Sequence, residues 1–184
     1  MNKIIRLIHV GDLKLFYMFN DGFKCSLFDR LVPVITGFGG AFFTVTTALI
    51  LIIFGSDAFQ AMGWQSIAAL STSHIFVHYL KKVFTRPRPF LNLSDINTFN
   101  MHLYDYSFPS GHTTAAFSLA CTLSFHFPLL SWIFIGTAFI VGFSRVYLGV
   151  HYPSDVVVGM IIGTIFAAIN HILFYPWIQQ IFNL

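Results

Sequence analysis

The sequence contains no glutamate. Its seven acidic residues are all aspartates: Asp12, Asp21, Asp29, Asp57, Asp95, Asp105 and Asp155. A magnesium or two-metal hydrolase gathers several carboxylates around its ions, and this chain has little to build such a cluster from. Charged residues of both signs make up only 9% of the chain, against about a quarter in a soluble domain. The net charge of +3 is small and scattered, which argues against a nucleic-acid partner. Cysteine is nearly missing too. Cys25 and Cys121 are the only two, too few for a disulfide framework or a cysteine metal cluster.

Apolar residues fill the space. They account for 56% of the chain, and the mean hydropathy is +0.74. At 184 residues this reads as a single-domain integral membrane protein. A crossing takes about 20 residues. Uncharged stretches of that order run over Leu31–Phe54, Ala58–Leu80, about Pro109–Phe127, Leu129 to about Tyr147, and from near Asp155 past Phe174. Pro128 favours a break between the third and fourth.

The sequence therefore predicts an all-α, polytopic transmembrane bundle of about five spans, occupying residues 31–184. Residues 1–30 alternate charged and apolar side chains and lack the apolar core of a signal peptide. They are expected to form an amphipathic helix lying in the membrane interface. A sixth span over residues 7–28 is the alternative. One long connection, roughly residues 83–108, interrupts the short loops, and loops of that length are usually functional or disordered.

Following the direction of the spans brings three polar clusters to one membrane face. The first is "KKVFTRPRPF", residues 81–90. Lys81 ends the second span, and Pro87 and Pro89 stop the helix and fix the backbone around Arg88. Arg86 and Lys82 fit a plainer role, reaching to lipid headgroups. The second is "FPSGHTT", residues 108–114, which opens the third span. Ser110 is a good helix cap, and Gly111 lets backbone N–H groups approach a ligand. A helix start of this kind attracts anions, and His112 adds a titratable group in its first turn. The third is "SRVYLGVHYPSD", residues 144–155. Arg145 ends the fourth span, His151 lies in a tight connection, and Asp155 follows Pro153 at the start of the fifth. Asp155 can reach back to one imidazole nitrogen, fix the tautomer and leave the other nitrogen free as a nucleophile. Three cations, a Ser-Gly helix start, two histidines and one carboxylate suit a tetrahedral anion with two proton-handling groups.

The three blocks read K-x6-R-P, P-S-G-H and S-R-x5-H-x3-D, in order and with every spacing kept. In this the sequence resembles the type-2 phosphatidic acid phosphatases, membrane lipid phosphatases related to vanadium haloperoxidases, over roughly residues 60–165. The resemblance implies a helical membrane bundle and a phosphatase or diphosphatase that works without metal or cofactor. Carried over by position, it implies that His151 attacks phosphorus and is oriented by Asp155. His112 protonates the leaving oxygen and then activates water. Lys81, Arg88, Ser110, Gly111 and Arg145 hold the phosphate oxygens.

The expected partners are a lipid phosphate and the bilayer, with undecaprenyl diphosphate ahead of phosphatidylglycerophosphate or phosphatidate. That order is an analogy from size and compactness. A non-catalytic lipid-binding or scrambling protein on the same fold would be marked by loss of a histidine or of Asp155, and all are present. The resemblance also favours a cell-membrane site on the extracytoplasmic face. The positive-inside rule points the other way, but Lys81, Arg88 and Arg145 are placed by chemistry rather than by topology. His74 and His78 share a helical face with Lys81 and are expected to line the bundle beneath the site rather than bind metal. His126 and His171 are expected near the far face.

Overall fold

A computed structural model describes residues 3–99, 103 and 105–183, with side chains described from Val10 onward. Among the described residues there are helices and no strands. The helices are α1 (Lys3–Tyr17), α2 (Ser26–Ile35), α3 (Ala41–Phe54), α4 (Asp57–Phe84), α5 (Pro89–Asn92), α6 (Gly111–His126), α7 (Ser131–Tyr147), α8 (Pro153–Leu173) and α9 (Tyr175–Phe182).

The centre of the bundle is α6, which packs against α8, α7 and α4. Every residue from Thr113 to Thr122 is buried. A helix enclosed on all sides needs small side chains so that neighbours can approach, and α6 supplies Ala115, Ala116, Ser118 and Ala120. The matching notch on α8 is Gly159 and Gly163, one turn apart. A Cβ on Gly159 would lie 2.8 Å from the Ser110 carbonyl oxygen, and one on Gly163 2.5 Å from that of Thr114. The hydroxyls inside this core are partnered. Thr114 donates to the Ser110 carbonyl at 2.9 Å, Thr122 to that of Ser118 at 2.8 Å, and Ser118 to Ser73 Oγ at 3.1 Å. Lipid cannot replace a missing partner. Large apolar side chains cover the outside instead, among them Phe42, Ile75, Trp132, Ile161 and Ile172.

Two helical stretches, Pro128–Tyr147 and Pro153–Leu173, are long and apolar enough to cross a bilayer. A third candidate is not the straight Leu31–Phe54 helix expected from hydropathy. It is a bent pair, Ser26–Gly39 and Ala41–Phe54, with a 50° angle between the two parts. The break has a packing cause. Gly39 lies so close to α6 that a Cβ there would sit 2.6 Å from the His112 carbonyl oxygen, and a short 3₁₀ turn over Thr36–Gly39 makes the bend. The fifth stretch differs as well: α8 ends at Leu173, and Pro176 starts a separate helix. Pro128 does separate the third and fourth stretches, as expected.

Of residues 1–30, the first two lie outside the described ones. Helix α1 has 15 residues, passes through a π-helical turn over Met18–Gly22, and is not among the helices long and apolar enough to cross. It packs on the end of the bundle where α8 starts: Phe16 is fully buried against Val146, Tyr152 and Val156. Asn20 ties it down further, donating to the carbonyls of Tyr147 at 2.8 Å and Asn97 at 3.0 Å. The next helix, α2, runs through residue 30 without a break.

Candidate active site

The end of α4 carries Lys81 in its last turn, and Thr85 leaves the helix in a left-handed conformation with φ 32°. A threonine rarely adopts that region. With Pro87 and Pro89 following, the chain reverses and turns Arg88 inward, where it is 2% exposed. Lys81 donates to Asp105 Oδ2 at 2.8 Å and to the Tyr106 carbonyl. Arg88 donates to Asp105 through Nε (carbonyl, 2.9 Å) and NH2 (carboxylate), and through NH1 to the Val150 carbonyl at 2.9 Å.

Ser110 caps α6, accepting from Thr113 N–H at 3.4 Å and sharing a hydroxyl bond with Thr113 Oγ1 at 2.9 Å. Its own N–H donates to the Asp155 carbonyl at 3.1 Å. The starts of α6 and α8 are thus held side by side.

Arg145 lies at the end of α7, 2% exposed. NH1 donates to Thr36 Oγ1 at 2.6 Å, but the buried Nε has no partner. A buried donor left without an acceptor is costly. The turn after α7 needs Gly149, with φ 73° and room for no Cβ: one would lie 2.9 Å from the Asn97 carbonyl oxygen. That turn presents His151. Arg88 NH1 lies 3.1 Å from His151 Nε2. A guanidinium can only donate, so Nε2 accepts and the proton sits on Nδ1. Asp155 Oδ2 is 3.5 Å from that Nδ1, accepts from Tyr152 N–H at 2.9 Å, and also accepts from Ser107 Oγ. His151 lies between the spans. Burial is the main force that drives its pKa down to about 3, helped by Arg145 and Arg88 and opposed by Asp155. The imidazole is neutral at ordinary pH.

These groups face one cavity of about 190 Å³. Of the eight residues singled out in the sequence, Lys81, Arg88, Gly111, His112, Arg145 and His151 line it. Ser110 and Asp155 stand behind the lining, both fully buried. His74 and His78 face the same cavity, as their helical spacing predicted. Among the described residues no group of three or more His, Cys, Asp or Glu is placed to hold a metal ion.

Sequence reasoning missed several contributors. Asp105 sits between Lys81 and Arg88 with its side chain 52% exposed. Partial burial alone would raise its pKa, but the bonds from the two cations outweigh this and hold it well below the carboxylate range. It lies five residues before Ser110, close enough in the chain to have been suspected. The break in the α2–α3 pair brings Gly39 and Ala41 to the lining and Thr36 to Arg145; nothing local in the sequence announces this. Arg86 needs correction. It does not reach to lipid headgroups but turns inward to Asp155 at 2.7 Å, Ser154 Oγ at 2.8 Å and Asp12 at 2.6 Å. A buried carboxylate attracts a cation more strongly than the membrane surface does.

Such a cavity can receive a compact oxyanion. Guanidinium and ammonium donors ring it, a neutral imidazole with an unprotonated Nε2 lines it, and a second histidine opens the adjoining helix. Fold and site together define an all-helical membrane protein with a cationic, histidine-lined centre at one end. The match of residues 62–180 to the PAP2 superfamily places the chain: it belongs to that family. Among curated relatives, the undecaprenyl-diphosphatase BcrC of Bacillus subtilis is 31% identical over 80% of this chain and 78% of that protein. The bacitracin transport permease protein BcrC of Bacillus licheniformis is 32% identical over 55% of this chain, a match that spans only half of that relative's length. Among solved structures, LpxE of Aquifex aeolicus superposes with a TM-score of 0.76 at 33% identity, covering 86% of this chain and 93% of that one.

Proposed function

We propose that this protein is a membrane lipid phosphatase that works through a phosphohistidine and needs no divalent metal. His151 Nε2 attacks phosphorus. The bond from phosphorus to the leaving oxygen breaks, and His112 gives that oxygen its proton. His112 then takes a proton from water, the hydroxyl oxygen attacks the phosphohistidine, and the P–N bond breaks to release inorganic phosphate and free His151. Lys81, Arg88, Arg145 and the N–H groups at Ser110–Gly111 stabilise the charge on the phosphoryl oxygens. Phosphoryl transfer is mainly positioning and electrostatics. The observation that carries the reading is the convergence of Lys81, Arg88 and Arg145 on one cavity with His112 and His151.

The substrate we propose first is undecaprenyl diphosphate, in keeping with the name of the Bacillus subtilis relative. Phosphatidylglycerophosphate and phosphatidate are the competing substrates. The bilayer is crossed five times in this reading, by the bent α2–α3 pair, α4, α6, α7 and α8, with the cavity on the extracytoplasmic face of the cell membrane. Phosphate release from a panel of these lipids tests the activity. It is expected to survive EDTA and to fall with vanadate, which mimics the pentacoordinate state. Loss on chelation that magnesium restores would overturn the mechanism. The protein carries its own reporter of sidedness: Cys25 is exposed and its neighbour Lys24 bonds to Asn97 of the long loop that also carries Arg88, whereas Cys121 is buried. An impermeant thiol reagent should label Cys25 in intact cells or spheroplasts. Labelling only after lysis places the site inside.

A further inference from the structure

The side of His151 turned away from the cavity is held by three separate parts of the chain. Asp155 uses its two oxygens differently. Oδ2 faces His151 Nδ1, Ser107 and the Tyr152 N–H, while Oδ1 accepts from Arg86 NH1 at 2.7 Å. The Cζ of the same guanidinium lies over the Tyr152 ring, 3.8 Å from its centre, and NH2 extends to Asp12 of α1 at 2.6 Å. Asp12 is itself buried, 5% exposed. It accepts from the Ser154 backbone N–H at 2.8 Å and from Ser154 Oγ at 2.6 Å. One carboxylate of the N-terminal helix therefore caps the first turn of α8 and fixes the cation that grips Asp155. A planar guanidinium can hold two carboxylates in a set geometry.

We infer that Asp12 and Arg86 are positioning residues for His151: Asp12 holds Arg86, Arg86 holds Asp155, and Asp155 holds the imidazole with Nε2 toward the cavity. This rests on the nucleophilic role proposed above for His151. A brace serving only stability would account for the burial of Asp12. It would not account for the brace ending on the one oxygen of Asp155 that the histidine, Ser107 and Tyr152 leave free. Arg86 also moderates the field that Asp155 exerts on the imidazole. The other charged or titratable groups around the cavity that His151 lines are Arg88 and Asp105 from the long loop, Arg145 from α7, His112 from α6, and His74, His78 and Lys81 from α4.

The test is lipid phosphate release by the full chain as a function of pH, with thermal unfolding of each variant alongside. Arg86→Gln should lower kcat on the order of 10²-fold with little change in KM, the usual result of a misplaced reacting group. The acid limb of its kcat/KM profile should also move upward by about one pH unit, because Asp155 would then favour the protonated imidazole more strongly. Arg86→Lys keeps the charge but cannot bridge two carboxylates, so the limb should return while kcat stays low. Asp12→Asn keeps an acceptor for Ser154 and should lower kcat about tenfold, a result that stands even if Arg86→Gln fails to fold. An acid limb unmoved in a folded Arg86→Gln, or an unchanged kcat in Asp12→Asn, overturns the inference. A wild-type protein inactive on every lipid phosphate overturns the functional reading instead, which is a different result.

Discussion

At one end of the bundle His112 and His151 share a cavity with Lys81, Arg88 and Arg145. At the other end His126 and His171 share the side chain of Gln65. Both pairs are at least partly buried and both sit where helices converge. The far pair is self-sufficient. His126 Nε2 lies 2.7 Å from Gln65 Oε1 and so donates to it, and Gln65 Nε2 donates to His171 Nδ1 at 3.0 Å. Phe125 and Tyr175 both stack with the His171 ring. At the cavity end the cations Lys81, Arg88 and Arg145 converge instead. Buried polar groups are normally satisfied within the protein. A closed network therefore marks packing, whereas the converging cations form an open one, which the proposed reaction assigns to a phosphate. Two histidines are common to both ends, so the difference lies in what surrounds them.

The largest expected effect breaks the comparison at its strongest point. His151→Ala should abolish turnover and leave no phosphate on the protein after a labelled substrate is added. His112→Ala should slow turnover by on the order of 10²–10⁴, the usual worth of general acid–base catalysis. A phosphoenzyme that still forms at the wild-type rate in His151→Ala removes the distinction between the two ends. In the wild type, the acid limb of kcat/KM that reports protonation of His151 should lie well below the ordinary histidine range. Burial and the neighbouring arginines hold its pKa down to about 3, so activity is kept above that pH and lost as the imidazole gains a proton below it.

A smaller effect sharpens the account of the open network. In the structure the Asp105 carboxylate occupies Lys81 and Arg88, the cations that the proposed reaction assigns to an incoming phosphate. Asp105→Asn removes that competition, and inhibition by inorganic phosphate should tighten about fivefold, or about 1 kcal/mol, the upper value for an exposed ion pair. Weaker inhibition would mean that Asp105 holds the cations in place rather than competing for them.

The smallest effect belongs to the closed network. His171→Gln should leave turnover within about twofold, since nothing at that end meets the substrate, and should cost about 1 kcal/mol of stability through the Gln65 bond. A large fall in turnover without a fall in the melting temperature would show that the far end takes part in the reaction.

The sequence by itself determined the apolar stretches, the break at Pro128 and the three motif blocks. Hydropathy and chain direction are properties of one dimension, and the alternation of spans is enough to bring Lys81, His112, Arg145 and His151 to one end. Tertiary structure alone decided the bend at Gly39, which brings Thr36 to Arg145. It also decided the place of Asp105 between two cations and the inward turn of Arg86. Arg86 meets partners 69 and 74 residues away in the chain, and no local pattern encodes them. Along the sequence, Asp12 looks like a charge on an interfacial helix and Arg86 like one reaching to lipid headgroups. Only the close approach of α1 to the start of α8 removes the water that would screen them, and a buried charge must then find its partner within the protein.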